Sequence, residues 1–95
     1  MILSNLLLLF TMKPIRLSAH ATESIKYRGV TEDEVKEAIN SSDWSPTERR
    51  RMECRKEFVY DQIWNKVHYK TKQVRPIFVE EETEIVVITV YSYYY

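Results

Sequence analysis

The spacing of apolar residues changes once along this chain, and that change constrains the fold more than any other feature. Before residue 41 apolar side chains recur every three or four residues, as at Leu17, Ala21 and Ile25, which is the period of a helix. After residue 49 they alternate with charged residues, which is the period of a half-buried strand. Helices followed by consecutive strands predict an α+β domain with helices packed on one face of a sheet.

The ends of two helices are encoded by short local signals. Ser18 is a good N-cap, and the only glycine of the chain, Gly29, stands where a helix end favours a left-handed residue. We therefore predict a first helix over about Ser18–Arg28. Thr31 and Glu34 have the spacing of a capping box, so a second helix should run from there to about Asn40.

The alternating half of the chain predicts the strands. Ser41–Thr47 contains tryptophan and proline and is predicted to be a loop, and the acidic stretch Glu80–Glu84 joins two apolar runs as a hairpin. Lys72 is placed on a solvent-facing row, with Val67 on the buried side of the same strand. We predict two N-terminal helices packed on a curled antiparallel sheet of three or four strands. The expected strands are a strand or hairpin beginning after Arg49 and the segments Trp64–Lys72, Val74–Val79 and Ile85–Tyr91. Before the helices, Ile15–Leu17 is short and apolar enough for a further strand that enters the domain.

Charge is balanced over the whole chain but not along it. Fourteen basic residues match fourteen acidic ones, so no net field draws the molecule onto nucleic acid. Between Trp44 and Arg75, however, nine basic residues stand against four acidic ones. This excess predicts a basic surface, although a merely solvated face is the alternative. The candidate nucleic-acid contacts are Arg51, Arg55, Lys66, Lys70 and Arg75.

Residues 1–12 form an apolar extension, and residues 13–95 form the single predicted domain. The extension lacks the basic residues at the start and the cleavage site with small residues that a signal peptide has. It is also shorter than the roughly 20 residues that cross a bilayer. We therefore expect no membrane association, and we interpret the segment as an extension of the reading frame or as a packed accessory segment. If it were exposed, it would promote association, for example as a homodimer.

The scarcity of sulfur and imidazole limits the available chemistry. Cys54 is the only cysteine, so no disulfide within the chain and no cysteine-based zinc site can form. We expect Cys54 to be a buried strand residue and the protein to be cytoplasmic. The two histidines, His20 and His68, are too far apart in sequence to give a metal-ligand spacing, so no metal or other cofactor is expected.

Three short motifs in a fixed order suggest a family. They are Leu17-Ser-Ala-His20-Ala21, Arg28-Gly29-Val30-Thr31 and Val87-Ile-Thr89-Val90-Tyr91. Together they resemble the domain of unknown function 4258, whose members are similar to the RelE/ParE-type toxins of bacterial toxin-antitoxin systems. The resemblance covers about residues 13–95, and the residues that match the family pattern are His20, Arg28, Thr89 and Tyr91.

The resemblance implies two different activities. The RelE branch implies a metal-independent endoribonuclease that acts on RNA or at the ribosome and is neutralised by an antitoxin protein. The ParE branch has the same fold and implies an inhibitor of a DNA topoisomerase. A third alternative is a non-catalytic module of the same fold that binds a protein partner or RNA.

Metal-free RNA cleavage requires a base, an acid and cations that stabilise the phosphorane charge. The candidate catalytic residues are His20, His68, Arg28 and Tyr91. His20 lies in the first turn of a helix, where backbone N–H groups attract phosphate. His68 is a candidate base on a lysine-rich strand. Each also has a structural alternative: packing at the helix start for His20, a solvated strand for His68, relief of the helix dipole for Arg28, and edge packing for Tyr91.

Overall fold

In the part of the chain that the structure describes, two helices lie on one face of a six-stranded sheet. The computed structural model describes residues 13–95, and the apolar extension predicted at 1–12 lies outside the described residues. Helix α1 spans Ala19–Arg28 and helix α2 spans Glu32–Ser41. Neither helix in this part of the chain is long and apolar enough to cross a membrane. The six strands are β1 Ile15–Leu17, β2 Ser45–Thr47, β3 Arg51–Glu53, β4 Lys56–Trp64, β5 Val67–Glu80 and β6 Ile85–Tyr94.

Both helices begin and end within a residue or two of the positions predicted from the sequence. The Ser18 side chain accepts a hydrogen bond from the Ala21 backbone N–H, and Gly29 ends α1 in the left-handed conformation with φ 68°. At the start of α2 the Thr31 side chain and the Glu34 side chain each accept a backbone N–H of the other residue. The predicted capping box is therefore confirmed.

The sheet is mixed, and the predicted architecture of three or four antiparallel strands is wrong. The strand order is β1-β6-β5-β3-β2, and β4 pairs with the same edge of β5 as β3 does. Strand β1, which precedes the helices, pairs parallel to β6, with Ile15 opposite Ile85. The α+β class is confirmed. Strands of three residues, such as β2 and β3, are too short to show a period in the sequence, and part of the predicted loop Ser41–Thr47 is β2.

Strands β4 and β5 form a long hairpin whose turn lies inside the segment Trp64–Lys72, which was predicted to be one strand. Its turn is Asn65 and Lys66, with φ of 50° and 72°, between the paired residues Trp64 and Val67. Positive φ at both central residues is the geometry of a two-residue type I′ turn. The turn lacks the glycine that usually marks it in a sequence. The two strands predicted at 64–72 and 74–79 are consequently one 14-residue strand, β5, that begins at Val67.

The core lies between the helices and the inner face of the sheet. Cys54 is buried there as predicted, but it lies between β3 and β4 rather than within a strand. Its thiol donates to the Ala38 carbonyl at 3.3 Å. Burial raises the pKa of the Cys54 thiol to about 12, so the thiol stays neutral. The buried residues of the core are Ala21, Ile25, Val30, Val35, Ala38, Ile39, Cys54, Val74, Phe78, Ile85, Val87 and Val90.

A buried lysine ties the sheet to the junction of the two helices, against the prediction that it faces solvent. Lys72 Nζ donates to the Gly29 carbonyl and to Glu34 Oε1, both at 2.9 Å. The Lys72 side chain is only 6% exposed. Val67, predicted to be buried, is exposed near the hairpin tip. The reason is that side chains alternate along β5: Lys72 lies two positions before the core residue Val74 and shares its face toward the helices, whereas Val67 lies on the opposite face.

Candidate nucleic-acid interface

The face of the sheet opposite the helices carries the functional candidates. On β6, Val90 belongs to the core and the Tyr94 hydroxyl donates to the Arg28 carbonyl of α1, so both face the helices. Side chains alternate along a strand, which places Tyr91 and Tyr93 on the opposite, open face. This open face is where β2, β3, β5 and β6 contribute polar and aromatic side chains.

A basic cleft of about 330 Å³ opens on this face. Strands β2 and β3 are antiparallel and joined by the short 3₁₀ turn Glu48–Arg50, which brings a run of basic residues over β5 and β6. Three guanidinium groups and a phenol line the space. The residues lining the basic cleft are Thr47, Glu48, Arg49, Arg51, Arg75, Ile77, Thr89 and Tyr91.

The turn that carries the cleft's basic residues has an unfavourable backbone. Arg49 and Arg50 both have φ of 60°, in the left-handed region that residues other than glycine rarely adopt. Such conformations cost on the order of 1–3 kcal/mol each and are found disproportionately at functional sites. Of the two, Arg49 lines the basic cleft and Arg50 does not. The chain keeps arginine at a strained position whose side chain faces the cleft.

Arg75 is held in place by neighbours on both sides. Its Nε donates to Glu53 Oε1 at 2.6 Å, and its Nη1 donates to the Tyr93 hydroxyl at 3.2 Å. Burial lowers the pKa of Arg75, but its hydrogen bonds to Glu53 and Tyr93 outweigh that effect and the net shift is upward. A guanidinium has five N–H donors, and these two bonds use two of them. Arg75 is thus a charged, oriented group with donors left for an anion.

The ring of Tyr91 contacts two arginines from different layers of the fold. The Arg28 Cζ is 4.8 Å from the centre of the Tyr91 ring and the Arg75 Cζ is 5.3 Å from it. Arg28 reaches this position from the end of α1 because its Nη1 donates to the Val90 carbonyl at 2.6 Å. Both distances are within the range of cation–π attraction, which fixes the tyrosine ring at the mouth of the basic cleft.

The two histidines are not brought together. His20 is exposed in the first turn of α1, just after Ser18, whose N–H donates to the Val87 carbonyl. The start of α1 therefore lies level with Phe78 of β5, the residue that pairs with Val87. His68 is ten residues earlier on that same strand. At about 3.3 Å per residue that separation is on the order of 30 Å. His68 instead contacts Asp61, with 2.8 Å between Nε2 and Oδ1.

The predicted basic contacts divide between the cleft and other places. Arg51 and Arg75 line the basic cleft. Arg55 lines a separate depression beside the end of α2, and Lys66 and Lys70 are exposed on the β4–β5 hairpin. Contact of these five residues with nucleic acid stays a prediction.

Besides Ile77 on β5, sequence reasoning missed three residues of the cleft as site residues. They are Thr47, Glu48 and Arg49. The signal that could have found them is the charged run after Pro46, which is the turn between two short strands. Thr89, matched through the family resemblance, does line the cleft, as does Tyr91. His20, matched in the same way, does not.

Comparisons with protein-family profiles, with curated proteins and with solved structures give no match for this chain. The resemblance to the domain of unknown function 4258 and to RelE/ParE-type toxins therefore stays a prediction. Within residues 13–95, no three His, Cys, Asp or Glu side chains lie close enough together to hold a metal ion.

Proposed function

We propose that this protein binds RNA at the basic cleft and cleaves it there without a metal ion, in the manner implied by its resemblance to RelE-type toxins. The supporting observation is the convergence of Arg49, Arg51 and Arg75 with Tyr91 in one cleft on the open face. Guanidinium groups recognise phosphate through paired hydrogen bonds. Three of them around one space favour a phosphodiester as the ligand.

The cleft also contains groups that can move protons. In the proposed reaction the Glu48 carboxylate takes the proton of the ribose 2′-hydroxyl, and O2′ forms a bond to phosphorus. The P–O5′ bond then breaks, and the Tyr91 hydroxyl supplies the proton to the leaving O5′. The products are a 2′,3′-cyclic phosphate and a 5′-hydroxyl end. Arg75 and its neighbouring arginines stabilise the negative charge that develops on the phosphorane.

This assignment keeps Tyr91 and Arg28 and replaces the two-histidine mechanism. His20 and His68 are separated by on the order of 30 Å of strand, so one phosphate cannot contact both. Arg28 acts on Tyr91, whose ring it packs against, and is a positioning residue in this mechanism. An antitoxin that covers the cleft, and the ribosome as the place of action, stay predictions.

A matched pair of substitutions tests the cleft. Arg49→Gly and Arg50→Gly remove the same charge and relieve the same left-handed backbone at φ 60°, but only Arg49 lines the cleft. We expect Arg49→Gly to weaken RNA binding and to reduce the salt dependence of binding by about one phosphate contact. Arg50→Gly should bind as the unsubstituted protein does. Equal effects of the two variants would refute the cleft as the binding site.

Cleavage is tested in vitro by incubating the purified protein with RNA in the presence of a metal chelator. It is tested in bacteria by following growth and RNA integrity after induced expression. Tyr91→Phe and Glu48→Gln should retain RNA binding and lose cleavage, because each keeps the shape of the side chain and removes a proton-transfer group. Cleavage by both variants at the normal rate would eliminate the mechanism.

A non-catalytic RNA-binding module is the second candidate. The observation that favours it is the position of both histidines outside the basic cleft, which leaves Glu48 and Tyr91 as its proton-transfer groups. RNA that binds with the Arg49 dependence described above, but stays intact and causes no growth arrest, would establish this alternative.

A further inference from the structure

A row of exposed tyrosines leads away from the basic cleft along β6. Tyr91, Tyr93 and Tyr95, here called the tyrosine row, are 38%, 42% and 53% exposed. They occupy alternate positions of one strand, because Tyr95 continues the pairing through reciprocal backbone hydrogen bonds with Thr71. All three rings therefore lie on the open face. Exposed aromatic groups placed side by side on one face are typical of interaction surfaces.

The rings are tethered but not covered. The Tyr93 hydroxyl accepts a hydrogen bond from Arg75, and the Tyr95 hydroxyl donates to the Glu57 carboxylate. These contacts hold the hydroxyl ends of Tyr93 and Tyr95 against the sheet, while the two residues stay 42% and 53% exposed. Rings held in this way lose little freedom when a planar ligand stacks on them, which lowers the entropic cost of binding.

The spacing of the row matches a single strand of nucleic acid. Alternate residues of a strand are about 6.6–6.8 Å apart. Successive nucleotides of a helical strand advance by about 3.4 Å, so bases on neighbouring rings of this row must be unstacked from one another, as bases are in single strands that proteins bind. The row begins at Tyr91, which also lines the basic cleft and contacts two guanidinium groups. Phosphate recognition and base stacking thus meet at one residue.

We propose that the tyrosine row is a base-stacking track and that the ligand of the open face is single-stranded RNA, with one phosphate in the basic cleft and successive bases on Tyr93 and Tyr95. This inference rests on the proposed function for the position of the phosphate. It adds that paired RNA is excluded, because the bases of a duplex have no free faces for the rings. It also adds that Tyr93 and Tyr95 contribute affinity without a role in bond cleavage.

The test measures binding of fluorescent 2′-O-methyl RNA oligomers of about ten nucleotides, which cannot be cleaved by 2′-hydroxyl attack. Tyr93→Leu and Tyr95→Leu remove the aromatic ring and keep apolar bulk. Tyr93→Phe and Tyr95→Phe keep the ring and lose only the hydroxyl contact. We expect each leucine variant to bind about 5- to 150-fold more weakly than the unsubstituted protein, and each phenylalanine variant to bind within a few-fold of it.

An abasic oligomer with the same phosphates separates stacking from phosphate binding. The leucine variants and the unsubstituted protein should bind this abasic strand equally, because it has no base to stack. Thermal unfolding of each variant checks that the fold is intact. A leucine variant that loses equal affinity for both oligomers would refute the stacking track, as would equal affinity of the unsubstituted protein for duplex and single strand.

Failure of this inference differs from failure of the proposed function. If Arg49→Gly weakens binding and the leucine variants do not, the basic cleft stands and the track is refuted. If the leucine variants weaken binding of base-bearing RNA and Arg49→Gly has no effect, the cleft is refuted and the track stands on its own.

Discussion

Gly29 is the residue at which substitution by alanine should be most informative about this fold. It has φ 68°, and a Cβ atom added there would lie 2.5 Å from Trp64 Cζ3 and 2.6 Å from Tyr94 Oη. Both distances are well inside van der Waals contact. Trp64 and Tyr94 are themselves stacked with 4.9 Å between ring centres, and the Tyr94 hydroxyl donates to the Arg28 carbonyl. Gly29→Ala must therefore displace the aromatic rings that fasten the β4–β5 hairpin to the end of α1.

Three costs of this substitution can be estimated. A left-handed alanine costs about 1–2 kcal/mol. Forcing a methyl group against packed rings costs about 1–3 kcal/mol. Loss of the Tyr94 hydrogen bond adds about 1 kcal/mol. We expect Gly29→Ala to lower the free energy of unfolding by about 3–6 kcal/mol, a large fraction of the total for a domain of this size.

The assay is equilibrium unfolding in urea, followed by tryptophan fluorescence and far-UV circular dichroism. Asn65→Ala is the matched control, because Asn65 also has a left-handed backbone, with φ 50°, but lies exposed in the hairpin turn and gains no atom on substitution. Asn65→Ala should lower the free energy of unfolding by about 1 kcal/mol or less, because asparagine already carries a Cβ atom in this conformation. If Gly29→Ala cost no more than Asn65→Ala, the close packing of Trp64 and Tyr94 over Gly29 would be refuted.

Three further predictions concern stability. Lys72→Met should cost about 2–4 kcal/mol in urea unfolding, because it leaves the Glu34 carboxylate without its buried partner, whereas Lys36→Met, at an exposed pair, should cost less than about 0.5 kcal/mol. Thr31→Ala should cost about 1 kcal/mol by thermal unfolding through loss of the capping box, and a loss near zero would contradict that role. The Cys54 thiol has its pKa raised from 9.0 to about 12, so its contribution to stability is complete below pH 9 and is lost as the pH rises toward 12. Cys54→Ala should show a smaller alkaline loss, and native Cys54 should resist iodoacetamide at pH 8 until urea is added.

The helix boundaries were predictable because the interactions that set them are local. The Ser18 cap, the left-handed Gly29 and the Thr31 capping box each involve atoms three to five residues apart. Signals of this kind can be read directly from a sequence. The hairpin Glu80–Glu84 was predicted for the same reason, since its two apolar runs are adjacent in the chain.

The strand count failed where pairing was short, distant or without its usual marker. β2 and β3 contain three residues each, and β1 pairs with β6 across about seventy residues of chain. The turn Asn65–Lys66 adopts positive φ without glycine. None of these features leaves a local pattern, so the predicted sheet had three or four strands and the described one has six.

In the candidate site, too, single residues could be predicted from the sequence but their spatial arrangement could not. Arg51, Arg75 and Tyr91 were each named from charge or from resemblance, but the sequence could not show that they line one space. Their meeting depends on the β2–β3 turn lying over β5 and β6. His20 and His68 were placed together in the predicted mechanism only because nothing in the sequence measures the distance between a helix start and a hairpin.

The sequence by itself determined the two helices, their caps, the α+β class and the burial of Cys54, because capping and hydrophobic periodicity act over a few residues. Tertiary structure alone decided which charges face one another. It buried Lys72 against Glu34, brought Arg28 and Arg75 to the ring of Tyr91, and separated the histidines. Strand pairing between distant segments fixes these positions, and it depends on how the whole apolar surface is buried rather than on any local run of residues.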